Sequence, residues 1–354
     1  MSCQLTRTDV DTIEYRLVWP ADVLKSLGHD IVILPPTKDS GFLAKFREEP
    51  NGKQVLTALQ IPTDADVIVI QRPAHEFQPQ MVDMLRSNGV AVVVDMDDDM
   101  SSIDQGNVAY HTYHPRSNTP YSWRHAIESC KKATFVTTST RRLQKVYAAH
   151  GRGMVLDNYV PAKCLTYQGA QTGAFGWAGT TQSHPNDLQV TGRTVQQLID
   201  AGLPFRVVGG KSRVQQVLQL REEPVVTGSV DLTEWVQTIA RTYDVGLIPL
   251  AQTPFNSAKS RLKGIEHMAA GVPWVASPRE EYRRLHRESG CGFLAERPKD
   301  WYNHVQRLMG DEVLRKEQTE MGKEFMKDQT YQAQGWRWAE AWETALKIQR
   351  GGTL

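Results

Sequence analysis

No run of apolar residues in this chain approaches the roughly 20 needed to span a bilayer. The opening MSCQLTRTDVDTIEYR has no apolar core of signal-peptide length. A soluble, cytoplasmic protein is the expectation. Neither sign of charge is in excess: 41 basic residues against 40 acidic ones leave a net charge of +1, so no global basic field recruits nucleic acid. The four cysteines, Cys3, Cys130, Cys164 and Cys291, lack C-x-x-C spacing. That excludes a zinc ribbon or a short-loop disulfide framework and favours reduced thiols. Internal repeats and low-complexity segments are missing as well. Arg283, Arg284 and Arg287 alternate with acids, the pattern of a solvated helix face more than of a membrane-surface patch.

What the chain does have is alternation of strand and helix patterns over a length of 354 residues, which suits two α/β domains better than one core. Residues 17–27 read as a helix stopped by Gly28, and 29–34 as a strand. Proline, glycine and charge make 35–53 a loop or an irregular helix pair. The apolar runs 66–71 and 90–95, separated by a helix over 78–88, read as strands of a parallel sheet buried on both faces. Helices over 123–132 and 140–150 flank a further strand at 133–138. The alternation resumes after 175, and the tail 329–348 is amphipathic with Trp336, Trp338 and Trp342, aromatics that spacing places against a core.

The most informative stretch is 244–277, DVGLIPLAQTPFNSAKSRLKGIEHMAAGVPWVAS. It reads as strand, loop, helix, strand, with Asn256 or Ser257 as the helix cap, Gly271 in the left-handed C-terminal position and Pro273 as the stop. Lys259, Lys263 and Glu266 fall on one helix face, and Leu262, Ile265 and Ala269 on the arc that packs against the sheet. Two cations near a helix start form a pocket for a diphosphate, and a carboxylate further in can accept both hydroxyls of a ribose. A solvated Lys/Glu face is the competing reading.

Ligands of parallel sheets sit beyond the carboxyl ends of strands. This puts Arg72 and the cluster Asp95, Asp97, Asp98 and Asp99 at a cleft edge. Four carboxylates in five residues call for a cation, a hydroxyl-rich ligand or helix N-termini; acceptor or transferred-sugar contacts, structural capping and a metal all fit. Residues 101–121 show no periodicity and gather His111, Tyr113, His114, Arg116 and Tyr121, a loop of a length that is often functional.

KSRLKGIEHMAAGVPWVAS resembles the donor-binding signature of GT-B glycosyltransferases, especially the retaining group called family four. The resemblance implies that Glu266 holds the donor ribose. Ala258 stands where many relatives carry another glutamate. The segment YRLVWPADVLKSLGHDIVIL resembles the opening of such enzymes, with Asp11 to Glu14 in place of their glycine-rich turn and Arg16 a candidate for the cleft or, equally, for a structural salt bridge. VTTSTRRLQKVY and VLDNYVP resemble the end of the first domain and the linker. FGWAG followed by TTQSHPNDL resembles the first strand and turn of the donor domain, where a later His and Asp recur. This assigns Gly176, Gly179 and Thr180 to the phosphates, and His184 and Asp187 are equally good as helix-capping residues. The usual Arg and Lys after that turn are absent, so Lys259, Lys263 and Arg261 carry the diphosphate. Backbone around Val230 in GSVDLTEW holds the base, which suits uracil, guanine or adenine alike.

The resemblance thus implies an α/β protein of two facing Rossmann-like domains, 1–160 for the acceptor and 161–329 for the donor, with a C-terminal helix (330–354) returning to the first. It implies a retaining, metal-independent transfer of a sugar from a nucleoside-diphosphate sugar to a hydroxyl, with no cofactor. Lys259, Lys263 and Asp98 are the catalytic candidates. Arg16, Arg72, Asp97, Asp98, Asp99, His111 and His114 are the candidates for the acceptor or sugar. The acceptor is open among protein, lipid, glycan and modified DNA. The alternatives are an epimerase or hydrolase of the same fold, and an inactive nucleotide-sugar-binding protein.

Overall fold

A computed structural model describes residues 2–6, 13–34, 43–52, 54–60, 65–117, 122–210 and 213–353. The chain forms two six-stranded parallel sheets. Strands β1 (Ser2–Thr6), β2 (Asp30–Leu34), β5 (Val67–Gln71), β6 (Ala91–Met96), β7 (Phe135–Thr138) and β8 (Gly153–Val155) build the first, in the order β2-β1-β5-β6-β7-β8. Between them β3 (Leu43–Glu48) and β4 (Gln54–Gln60) pair as an antiparallel hairpin. The second sheet contains β9 (Phe175–Ala178), β10 (Phe205–Val208), β11 (Val225–Val226), β12 (Val245–Ile248), β13 (Trp274–Ala276) and β14 (Phe293–Leu294), ordered β11-β10-β9-β12-β13-β14.

The apolar run of β5 shows why a parallel sheet forms here. Val67 and Val69 face one side, packing in a cluster with Trp338, Ala341, Trp342 and Ala345, while Ile68 and Ile70 face the other with Val82 and Leu85. Helices cover both faces, so every side chain of the strand is buried and polar alternation would be costly.

Two expectations need correction. Part of the predicted loop or irregular helix pair over 35–53 is the β3–β4 hairpin; 35–42 and 53 lie outside the described residues. Strand β1 was not expected, because a five-residue strand with three polar side chains, Ser2, Gln4 and Thr6, carries little apolar signal.

The last helix, Trp336–Gln349, returns to the first sheet as expected, with Trp338 and Trp342 each 1% exposed and the Trp338 indole donating to Arg16 O at 3.2 Å. Trp336, by contrast, is 52% exposed. The outgoing and returning crossings touch: Val160 bridges Thr330, and Tyr331 N–H donates to Val160 O at 3.1 Å. Among the described residues no helix is long and apolar enough to cross a membrane.

Candidate active site

The unit between β12 and β13 is not one helix. Thr253 rather than Asn256 or Ser257 caps a first short helix, Pro254–Ala258; the backbone turns extended at Lys259, and a second helix, Leu262–Ala269, begins after Arg261. Gly271 at φ 72° and Pro273 end it as the sequence suggests. The break has a packing cause. Phe255 and Ala258 sink into an apolar cluster of the first lobe beside Met96, Met100, Leu143 and Tyr147, which a straight helix continuing toward Lys263 would not reach. Thr140 Oγ1 then donates to Ala258 O at 3.1 Å. The position where relatives carry a second glutamate is therefore sealed and apolar.

Lys263 sits in the first turn of the second helix. Its Nζ donates to Ala178 O at the end of β9 (2.9 Å) and lies 5.3 Å from the centre of the Trp177 ring. Gly179 is glycine for a steric reason: a Cβ there would stand 2.8 Å from that Nζ and 2.9 Å from the Trp177 ring, at φ 153°. Burial pulls the ammonium down to about 8, with Lys259 adding to the effect and Asp187 and Glu266 opposing it. One turn on, Glu266 is 4% exposed and accepts from the Tyr15 hydroxyl of the first lobe at 2.5 Å. Burial raises its carboxyl to about 7, against the lowering effects of Tyr15, Lys263 and the Trp235 side chain.

Lys259, although off the helix, stays beside Lys263 and reaches across to the first lobe. Its Nζ pairs with Asp98 Oδ1 at 2.7 Å and lies 4.4 Å from the centre of the Phe255 ring. Arg72, held at φ 45°, pairs with Asp97 and, at 2.9 Å, with Asp98. The acidic cluster is thus divided by partner. Asp95 takes both arms of Arg16 (2.9 and 2.7 Å) and the Thr137 hydroxyl. Asp99 caps Ser101 and Ser102. Only Asp97 and Asp98 join the chain of charges that runs through Arg72 to Lys259. Among the described residues no group of three or more metal-ligating side chains is placed to hold a metal ion.

Several candidates are corrected by their surroundings. Arg16 has a fully buried side chain that gives four hydrogen bonds to Asp95, Leu156 O and Asn158, so it is a strut between β6 and the linker, not an acceptor contact. Asp99 is likewise a capping residue. Arg261, 5% exposed, turns away from Lys263 to Glu288, Asp157 and Gln329 and is not a phosphate contact. Gly176 lies inside β9, where a Cβ would strike the Tyr243 ring at 2.0 Å and Arg206 O at 2.6 Å; it serves packing. Arg284 is tied to Asp157 and Glu281 at 2.6 and 2.8 Å, not offered to a membrane surface.

Thr180 shapes the turn, accepting at Oγ1 from Gln182 N–H. Val230 stands half-buried just before helix Leu232–Thr242, which Asp231 caps through Thr233 N–H at 2.8 Å. His111 is exposed, and His114 stacks on Tyr110 at 4.4 Å with its Nδ1 accepting from Arg116 N–H. Their segment does meet the second lobe. Asn107 Nδ2 donates to Ser183 O at 2.9 Å, and Val108 N–H to Gln182 O at 3.2 Å. Tyr121 lies outside the described residues.

Sequence reasoning missed Tyr15 and undervalued the pair His184–Asp187. Asp187 is buried and accepts from Ala251 N–H (2.9 Å) and Asn256 Nδ2 (2.6 Å) while binding His184 Nδ1 at 2.7 Å. Burial draws the His184 imidazole down to about 4; Lys263 and Lys259 act in the same direction and Asp187 opposes them.

Two Rossmann-like lobes, with a C-terminal helix returning to the first and a charged cluster at the strand ends of the second, define the GT-B fold. Residues 173–311 match the family described as glycosyl transferases group 1, and the fold of the whole chain is that of GT-B glycosyltransferases. The pneumococcal O-GlcNAc transferase GtfA, solved with UDP and GlcNAc, superposes at a TM-score of 0.63 with 10% identity over 98% of this chain and 99% of its own. Anabaena HepE, solved with UDP and glucose, gives 0.63 and 10% over 97% and 100%. TarM of S. aureus gives 0.56 and 13% over 78% of this chain, which spans 54% of TarM, about half its length. A comparison with curated proteins found no match.

Proposed function

We propose that this protein transfers a sugar from a nucleoside-diphosphate sugar to an acceptor hydroxyl, with retention and without a metal or other cofactor. The observation that carries the reading is Lys263, a half-buried ammonium at the Gly179 turn, one helical turn from the buried carboxyl of Glu266. Lys263 exchanges the Ala178 carbonyl for a phosphate oxygen, and Lys259 supplies a second positive charge. Together they stabilise the charge that grows on the departing diphosphate, a role in which preorganised cations are most effective. Glu266 exchanges the Tyr15 hydroxyl for those of the ribose, and backbone near Val230 receives the base. Arg72, Asp97 and Asp98 face the acceptor, and the departing phosphate takes the acceptor proton as the glycosidic bond forms on the same face. That GtfA and HepE are complexes with UDP and a sugar supports the donor class.

The division into an acceptor lobe of 1–160 with 330–354 and a donor lobe of 161–329 belongs to the same proposal, as does a cytoplasmic location, which the free, buried Cys130, Cys164 and Cys291 support. A second reading, nucleotide-sugar binding without transfer, is favoured by one observation, the sealing of Ala258 into the first lobe.

The test is thermal stabilisation by UDP, GDP and ADP and their sugars, since a ligand raises stability as RT ln(1 + [L]/Kd). One nucleotide series is expected to stabilise strongly; none doing so overturns the reading. Anomeric NMR of the product then separates retention from inversion. A stabilising donor that is neither transferred nor hydrolysed selects the binding protein.

A further inference from the structure

The proposed mechanism leaves the oriented imidazole of His184 unused. His184 lies in the turn after β9, and its side chain is 13% exposed. Asp187 fixes the ring: its Oδ2 receives His184 Nδ1–H at 2.7 Å, while its Oδ1 is held by Ala251 N–H and Asn256 Nδ2. The tautomer is therefore set, and Nε2, on the ring edge away from Asp187, makes no hydrogen bond within the described residues. A carboxylate with three partners is a rigid mount, since rotating it away would break all three.

We propose, resting on the reading of this cleft as a diphosphate site, that His184 is a proton-coupled ligand of the donor diphosphate. Nε2 takes one proton from solvent as the diphosphate enters and donates it in a hydrogen bond to a phosphate oxygen, and Asp187 is the residue that positions it. The charges around the ring supply the coupling. Lys263 in the first turn of helix Leu262–Ala269 and Lys259 at the break before that helix both disfavour a third positive charge there, while Asp187 on its own turn favours one. Further out, Asp98 pairs with Lys259, Glu266 acts on Lys263, and Asp104 of the first lobe acts on Asp187. Bringing a diphosphate between the two lysines reverses the field at the ring. The protonated imidazole then becomes a third cation toward the phosphates, matching the negative charge only when that charge is present.

The experiment is calorimetric titration of the full chain, as wild type, His184→Gln and His184→Lys, with inorganic pyrophosphate, UDP, GDP and ADP, in buffers of different ionisation enthalpy. Glutamine keeps a donor for Asp187 without titrating; lysine is charged throughout. Glu266 and Lys263 also titrate near neutrality, so the comparison that counts is wild type against His184→Gln, both uncharged at 184 before ligand binds. The affinity advantage of wild type over His184→Gln is expected to shrink about tenfold per pH unit between about pH 5 and 7, with wild type taking up about one proton more per ligand bound. His184→Lys is expected to bind more tightly than His184→Gln at neutral pH, without that slope. Parallel pH curves and equal proton uptake for wild type and His184→Gln overturn the proposal while leaving the site reading intact. Failure of all four ligands to bind wild type overturns that reading, and this proposal with it.

Discussion

Lys263 and Glu266 occupy the same helix but are stabilised in opposite ways, one by a carbonyl and an indole face, the other by a phenol from the other lobe. Replacing Lys263 by Ala removes a preorganised cation, and a drop in kcat of about 10- to 1000-fold is expected in steady-state kinetics. Glu266→Ala is expected to act mainly on nucleotide affinity, raising Kd in a direct titration. Arg16 is a test of the opposite kind. Arg16→Met leaves Asp95, 2% exposed, without its charge partner, and a loss of about 3 to 5 kcal/mol in urea denaturation is expected. An effect of that size with no change in nucleotide affinity fits a strut; a change in acceptor KM at unaltered stability would restore Arg16 to the site.

At the scale of elements, the broken helix pair is the feature that ties the lobes together. Helix Pro254–Ala258 gives its apolar side to the first lobe, and the extended residue after it sends Lys259 to Asp98. Phe255→Ala opens a cavity in that cluster, and a loss of about 3 to 5 kcal/mol is expected, read as a lower unfolding midpoint. The turn after β9 depends on a second close approach. Gly209, at φ 142°, would place a Cβ 2.2 Å from Gly179 O. Gly209→Ala must therefore displace the Gly179 turn, and a reduced thermal shift by nucleotide is the expected result.

For the whole molecule, two histidines and two glutamates with large shifts pull the pH dependence of stability in opposite directions. His184 and His267 are drawn to about 4 from an ordinary 6.5; in both, burial dominates. Folded, they bind fewer protons than unfolded, so their contribution is full above pH 6.5 and is lost as pH falls toward 4. Glu266 and Glu281 are raised to about 7 from 4.5, again chiefly by burial. Their contribution is full below pH 4.5 and is lost as pH rises through 7. Between 4.5 and 6.5 the two pairs oppose each other, and a shallow stability curve is expected there. A Glu266→Gln, Glu281→Gln double variant removes the opposing slope. Its stability in urea titrations should then decline steadily with acid across that window.

The sequence by itself determined the parallel sheets, the βαβ unit around 244–277 and the placing of Lys263 and Glu266 one turn apart on the same helix. Each rests on local periodicity: unbroken apolar runs for strands buried on both faces, and three-residue spacing for one helix face. Gly28 and Gly271 were legible for the same reason, because a positive φ leaves a mark in one residue. Only the tertiary structure decided which charges meet. Arg16 and Arg261 look in sequence like any basic residue near a cleft, yet each is buried among partners far along the chain, and Tyr15 finds Glu266 across a separation of 251 residues. Such contacts follow from how two lobes close on each other. Periodicity reports which side of an element is buried, while the identity of what lies against it is set by the packing of the whole chain.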